Sequence, residues 1–244
     1  MFNFSLDKRK ITIILVIMLV LWLASNGTAG ILNLLLTIPG VLIAITFHEF
    51  AHAWMAVKLG DNTPKLQGRL SLNPFDHMDP IGFVFLIVAG FGWGKPVEID
   101  SRNFNGKYSL SKAEAIVAAA GPIMNFILAF IFMIIYYAAF VATNALGALT
   151  LQWQQVIYYI VVYTISINIG LGVFNLIPLP PLDGSKIIMP ILPYKAKEWF
   201  VNNEQLFSLI FVVIWITGIA GTIISPVINW ITTGILSLGK LILR

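Results

Sequence analysis

Six apolar runs, at about residues 11–24, 31–57, 113–141, 153–178, 205–222 and 225–239, constrain this chain more than any other feature. A helix needs about 20 apolar residues to cross the roughly 30 Å hydrocarbon of a bilayer, and most of these runs approach or exceed that length. Hydrocarbon offers no water to backbone N–H and C=O groups, so each run must close its own hydrogen bonds as a helix. Composition agrees: 58% of the 244 residues are hydrophobic and 11% are charged, against roughly 25% charged in a soluble domain. Too little charge is present to cover a water-facing surface. The expected fold is an all-α polytopic membrane protein with about six transmembrane helices, forming one domain over residues 1–244, with the lipid bilayer as its surroundings.

The first run is short. Lys8-Arg9-Lys10 before it and Ser25-Asn26-Gly27-Thr28-Ala29 after it would suit a signal-peptide core, whereas an uncleaved span keeps the charge distribution consistent. With the N-terminus in the cytoplasm, all 15 Lys and Arg lie on the cytoplasmic side. The outward loops, at about 25–30, 142–152 and 223–224, hold none. This positive-inside bias predicts a multi-pass protein of the cell membrane with both termini cytoplasmic. A pI near 9.3 can signal nucleic-acid binding, but these basic residues sit in short loops beside apolar runs, and no nucleic-acid partner is expected. The absence of cysteine excludes disulfides, thiolate metal sites and cysteine nucleophiles.

Residues 81–100 differ from the spans. The stretch Ile81 to Gly94 is apolar but glycine-rich and is stopped by Lys95-Pro96. Both of its flanks are cytoplasmic, so it must dip in and return. Its β-branched and aromatic residues, followed by Val97-Glu98-Ile99-Asp100, suggest a β-hairpin or re-entrant loop, which survives at membrane depth only when buried in protein or facing a wet cavity. The alternative is an ordinary amphipathic surface loop.

An ionisable group at the centre of a span costs at least about 2.5 kcal/mol and needs a function or a partner. Glu49 sits mid-span, flanked by two of the three histidines, His48 and His52. On a helix, positions i and i+4 lie one above the other, so both imidazoles face one point and offer two nitrogen ligands to a metal such as Zn²⁺. Glu49 is displaced about 100° around the axis, close enough to reach a water there. This is the HExxH arrangement, in which the glutamate is general base. A catalytic zinc usually has three protein ligands. The candidate for the third is Asp183, which follows Pro178, Pro180 and Pro181 and precedes Gly184. The prolines break the helix and hold the acid on unwound chain near the membrane boundary. The competing reading of Asp183 is an interfacial acid that ends a span.

From about residue 40 to 190 the chain resembles the site-2 proteases, intramembrane zinc metalloproteases. The matching blocks, in order, are Phe47 to Ala53, Leu59-Gly60-Asp61, Gly68 to Pro74, His77 to Gly82, Gly92 to Val97, Ala119 to Asn125 and Asn175 to Gly184. The closest likeness is to the minimal prokaryotic branch, since no hydrophilic insert is long enough for a PDZ or CBS domain. The resemblance implies one Zn²⁺ held by His48, His52 and Asp183, with Glu49 as catalytic base. It also implies that Asn125, in the Gly-Pro-x-x-Asn block, helps to position substrate or a reacting oxygen. His77, between Asp76 and Asp79, reads as a turn residue.

The expected reaction is metal-assisted hydrolysis of peptide bonds within or near the membrane segments of transmembrane or signal-peptide-like substrates, approached from the cytoplasmic side. A substrate helix must unwind to expose its carbonyls. The edge around Gly92, Trp93 and Gly94 would pair with the extended substrate by strand addition. The rival classes are a divalent-metal transporter, against which stands the lack of an evident inverted repeat, and a catalytically inactive substrate-binding relative.

Overall fold

The computed structural model describes residues 8–89, 93–146 and 151–242. Among them the chain is nearly all helix and forms no β-strand. Helix α1 (Lys8–Lys58) runs for 51 residues, about 75 Å at helical rise. It is bent at Gly27, where φ is 57° and ψ is −159°. The loop expected over 25–30 therefore contracts to one non-helical residue. Ser25 Oγ and Asn26 Nδ2 each donate to the Trp22 carbonyl at 2.9 Å, so the polar side chains beside the bend find their partners within the helix.

Short helices α2 (Thr63–Leu66), α3 (Pro74–His77) and α4 (Pro80–Ala89) follow. Then come the long helices α5 (Leu110–Leu146) and α6 (Leu151–Asn175). The chain continues through α7 (Asp183–Ile188), α8 (Tyr194–Asn202), α9 (Glu204–Ile216) and α10 (Ile219–Ile242). Three helical stretches among the described residues are long and apolar enough to cross a membrane: Val16–Lys58, Leu110–Ala138 and Gln152–Asn175.

Two expectations are corrected here. Residues 80–89 form helix α4, not the first arm of a β-hairpin. A short apolar run does not reveal its state by periodicity, and a helix satisfies its backbone without a partner strand. Residues 93–100 form neither helix nor strand, and their one ladder-like contact is an isolated antiparallel bridge between Met78 and Gly94. The break between α9 and α10 lies at Thr217-Gly218, where Gly218 has φ 74°, rather than at 223–224. The apolar run is continuous across both places, and Pro226 is accommodated inside α10.

The core sits where α1, α5 and α6 pack together. Alanines line this seam: Ala44, Ala53 and Ala56 of α1 and Ala129 of α5 are fully buried. Small side chains let helix backbones approach closely where lipid provides no hydrophobic drive. Farther along, Met133 and Tyr137 of α5 pack with Val161, Ile165 and Ile169 of α6, and α10 covers them with Ile228, Ile231 and Ile235. At the other end of α5, Ala56 and Leu59 meet Ala113 and Val117, with Ile99, Phe104 and Tyr108 packed against them.

The connecting segment near that end is tied down by Asp61, which is fully buried. Its carboxylate accepts from the N–H of Thr63 at 3.0 Å, from Asn103 Nδ2 at 3.0 Å and from the N–H of Asp100 at 2.8 Å. Burial opposes its ionisation, but these donors and the Thr63 hydroxyl prevail and hold its pKa below the usual value.

Candidate metal centre

His48 and His52 stand one turn apart on the inner face of α1, both buried. Their Nε2 atoms are 3.0 Å apart. Asp183 Oδ2 lies 3.1 Å from His48 Nε2 and 3.2 Å from His52 Nε2. The structure thus brings the three ligand candidates together, with one ligand atom from each inside a 4.8 Å span.

The other ring nitrogens decide what this cluster can do. His52 Nδ1 is 2.8 Å from the Val117 carbonyl, a pure acceptor. His48 Nδ1 is 2.6 Å from Asn125 Oδ1, and the Asn125 amide nitrogen donates to the Ala44 carbonyl at 3.1 Å, which fixes the amide so that its oxygen faces the ring. Both imidazoles therefore donate from Nδ1, and in their neutral form each turns an Nε2 lone pair towards the carboxylate. In that form three lone-pair atoms converge on one point. Asp183 Oδ2 is buried and, despite its closeness to both rings, makes no hydrogen bond of acceptable geometry. A buried orphan oxygen beside two deprotonated nitrogens is unfavourable unless a cation sits among them. Two neutral imidazoles and a carboxylate are a fitting donor set for Zn²⁺.

The local sequence builds each wall. Helix α6 stops at Asn175, and the proline-rich turn, which includes a cis Pro180-Pro181 bond, delivers Asp183 as the first residue of α7. A Cβ on Gly184 would overlap the Ile177 carbonyl, so only glycine lets this turn fold back. On α5, a Cβ on Gly121 would lie 2.6 Å from Cε1 of each histidine ring. Glycine there lets the α5 backbone form one side of the metal cradle.

Glu49 is half-buried beside this group, and its Oε2 accepts a hydrogen bond from the N–H of Val97 at 3.2 Å. Val97 belongs to the irregular segment after α4, which is itself clamped. The N–H of Lys95 donates to the His77 carbonyl at 2.7 Å. The buried Arg69 donates from Nη2 to the carbonyls of Lys95 and Pro96. Gly94 abuts Ile45 and the His77 carbonyl, and Trp93 packs against Phe85 with ring centroids 5.3 Å apart. Gly92 lies outside the described residues. His77 is fully buried, with Nε2 2.7 Å from the Ser71 carbonyl, and is not one of the three converging ligands. Asn125 is also fully buried, with both ends of its amide engaged by protein groups.

The Val117 carbonyl and the Val97 N–H escaped sequence reasoning because backbone groups have no letter of their own. Gly121 carried a signal, its place in the Gly-Pro-x-x-Asn block, without its physical reason.

A histidine pair on a long apolar helix, met by a carboxylate from α7 and with a glutamate alongside, is the donor arrangement of a metallohydrolase. Residues 36–218 match peptidase family M50. The chain belongs to this family and is a zinc metalloprotease of the site-2 protease type. It is 38% identical over 191 residues to YwhC of Bacillus subtilis (strain 168), a protein that bears a zinc metalloprotease name, covering 78% of this chain and 84% of the relative. Similarly named relatives include Rip2 of Mycolicibacterium smegmatis, 28% identical over 75% of this chain and 67% of its own length. Another is MJ0611 of Methanocaldococcus jannaschii, 24% identical over 88% of this chain and 98% of its own length. No solved structure matches the chain.

Proposed function

We propose that this metalloprotease cleaves peptide bonds within or near the membrane segments of transmembrane or signal-peptide-like substrates. One zinc ion would be held by His48, His52 and Asp183, with Glu49 as the general base. The observation that carries this reading is the placement of Glu49 beside three converging ligands on a bilayer-length helix. His48 lies ten residues before Lys58, about 15 Å deep at helical rise. Bound zinc supplies Lewis acidity to the scissile carbonyl and to the attacking water. Glu49 takes the proton from that water and returns it to the departing amine. The Val97 N–H on Oε2 orients the carboxylate so that Oε1 handles the proton.

The topology proposed with this chemistry has six crossings: the two parts of α1 on either side of Gly27, then α5, α6, α9 and α10. Both termini are cytoplasmic, and α4 with the chain after it forms a re-entrant element. A strand-addition role around Trp93 and Gly94 is part of this reading: Arg69, His77 and Glu49 hold the segment that follows α4 in place beside the three converging side chains. The lack of an N–H on Pro96 limits pairing at that position.

The test compares cells carrying the wild type with cells carrying Glu49→Gln, scoring single-span peptides and bound zinc. The variant should retain zinc and accumulate uncut membrane peptides. Peptide patterns identical to the wild type would refute the role of Glu49. Zinc transport into proteoliposomes that survives Glu49→Gln would instead favour a transport site.

A further inference from the structure

Asn168 lies in the middle of α6, in an otherwise apolar stretch, and is fully buried. An amide in such surroundings is costly unless its groups are bonded. Its Nδ2 donates to the Thr164 carbonyl, one turn back, at 2.8 Å. That bond leaves its oxygen aimed the other way, and Oδ1 accepts from Asn125 Nδ2 at 3.0 Å. Asn125 Nδ2 therefore serves two acceptors, the Ala44 carbonyl and Asn168 Oδ1, while Asn125 Oδ1 faces His48 Nδ1 at 2.6 Å. The result is a continuous chain of hydrogen bonds from α6 through α5 to the ligand nitrogen ring on α1.

We propose that Asn168 is a positioning residue of the metal centre, acting through Asn125 to keep the lone pair of His48 Nε2 available to the metal. This rests on the reading of His48 as a zinc ligand. An asparagine amide fits its cavity in two orientations that exchange O and NH₂. If Asn125 flipped, its oxygen would face two acceptors and its NH₂ would face His48 Nδ1. His48 would then have to accept at Nδ1 and move its proton to Nε2, the atom that faces Asp183. Without Asn168, the Ala44 carbonyl alone opposes that flip. The partner of a ligating histidine commonly governs metal affinity by 10–100-fold, and Asn168 holds that partner in its working orientation. Helix α6, which supplies none of the proposed ligands, thereby acquires a hold on the site through Asn125.

The alternative is that Asn168 merely glues α6 to α5. The two roles separate in zinc affinity measured by chelator competition on the full chain purified in detergent, alongside the visible spectrum of the cobalt-loaded protein. Asn168→Leu keeps the volume and removes the polar groups, and Asn168→Ser, too short to reach Asn125, provides a second variant should the first not fold. Either should weaken zinc binding by about tenfold and alter the cobalt bands, with Asn125→Ala weakening it by about 10–100-fold. In the Asn125→Ala background, adding Asn168→Leu should change zinc affinity no further, because the effect travels through Asn125. Ile169→Ala, a fully buried neighbour on α6, should lower thermal stability with zinc affinity and cobalt bands unchanged. Wild-type affinity in both Asn168 variants, additive losses in the double variant, or an equal loss in Ile169→Ala would overturn the proposal. A wild-type chain whose zinc binding does not depend on His48 would overturn the ligand assignment as well.

Discussion

Gly121→Ala offers the sharpest check on how the cradle is built. The added Cβ would lie 2.6 Å from Cε1 of His48 and of His52 and would press on His52 Nε2. Carbon atoms in ordinary contact are about 3.5–4.0 Å apart, so the rings and the α5 backbone must separate by about 1 Å. Ligand distances at a metal site tolerate only about 0.2 Å, so the displacement cannot be absorbed while all three ligands stay in place. Overpacking of this kind costs about 1–3 kcal/mol. If the strain is relieved by moving a ligand, that range corresponds to zinc binding weakened by about 5- to 150-fold. The assay is chelator competition on purified protein, with thermal unfolding in the same detergent. Gly234→Ala is the control, because a Cβ there meets nothing within 4 Å, and its zinc affinity should match the wild type. A Gly121→Ala protein that binds zinc as tightly as the wild type would show that α5 does not form the wall of the site.

Asp61→Ala should leave the donors of Thr63, Asp100 and Asn103 without their shared acceptor and cost about 1–3 kcal/mol, read as a lower unfolding temperature. Because the folded pKa of Asp61 is depressed, its contribution is fully present above the ordinary carboxylate value and fades as pH falls through the lower folded value. The wild type should therefore lose its stability advantage over the variant in acid, and an advantage independent of pH would refute this account of the anchor. Single cysteines introduced into this cysteine-free chain test the topology. Lys195→Cys should label only after the cytoplasmic face is opened, and Gln152→Cys should label in intact cells with an impermeant reagent; the reverse pattern would invert the proposed orientation.

The legible parts of this protein are those set by spacing. Two histidines four residues apart face one point on any helix, so residues 48 and 52 announced a ligand pair before their surroundings were known. Asp183 could be paired with them because prolines at 178, 180 and 181 stop a helix and chemistry demanded one more ligand. The missing parts are those where the backbone acts. Whether residues 80–89 coil or extend depends on what lies beside them, and the pattern of apolar letters is the same either way. The bend at Gly27 and the break at Gly218 each need only one residue at positive φ, too little to interrupt a hydropathy profile. Asn168 was legible in principle, as an amide inside an apolar run, but attention to ionisable groups alone passes over it.

The site also shows why one stretch of α5 carries so much of the arrangement. Val117, Gly121 and Asn125 recur at intervals of four, so they share one face of the helix, the face turned to α1. Along that face, the Val117 carbonyl orients His52, the absent side chain of Gly121 admits both rings, and the Asn125 amide orients His48. Pro122 takes away the N–H that the Ala118 carbonyl would otherwise receive, loosening the helix next to the residue that must come closest to the rings. The two groups that orient the histidines and the clearance for their rings thus lie within nine residues of one helix. The proposed ligands come from α1 and α7, so the donor atoms and the groups that aim them stand on different elements. A shift of α5 by a fraction of a turn would misdirect both imidazoles together while leaving every ligand in the sequence.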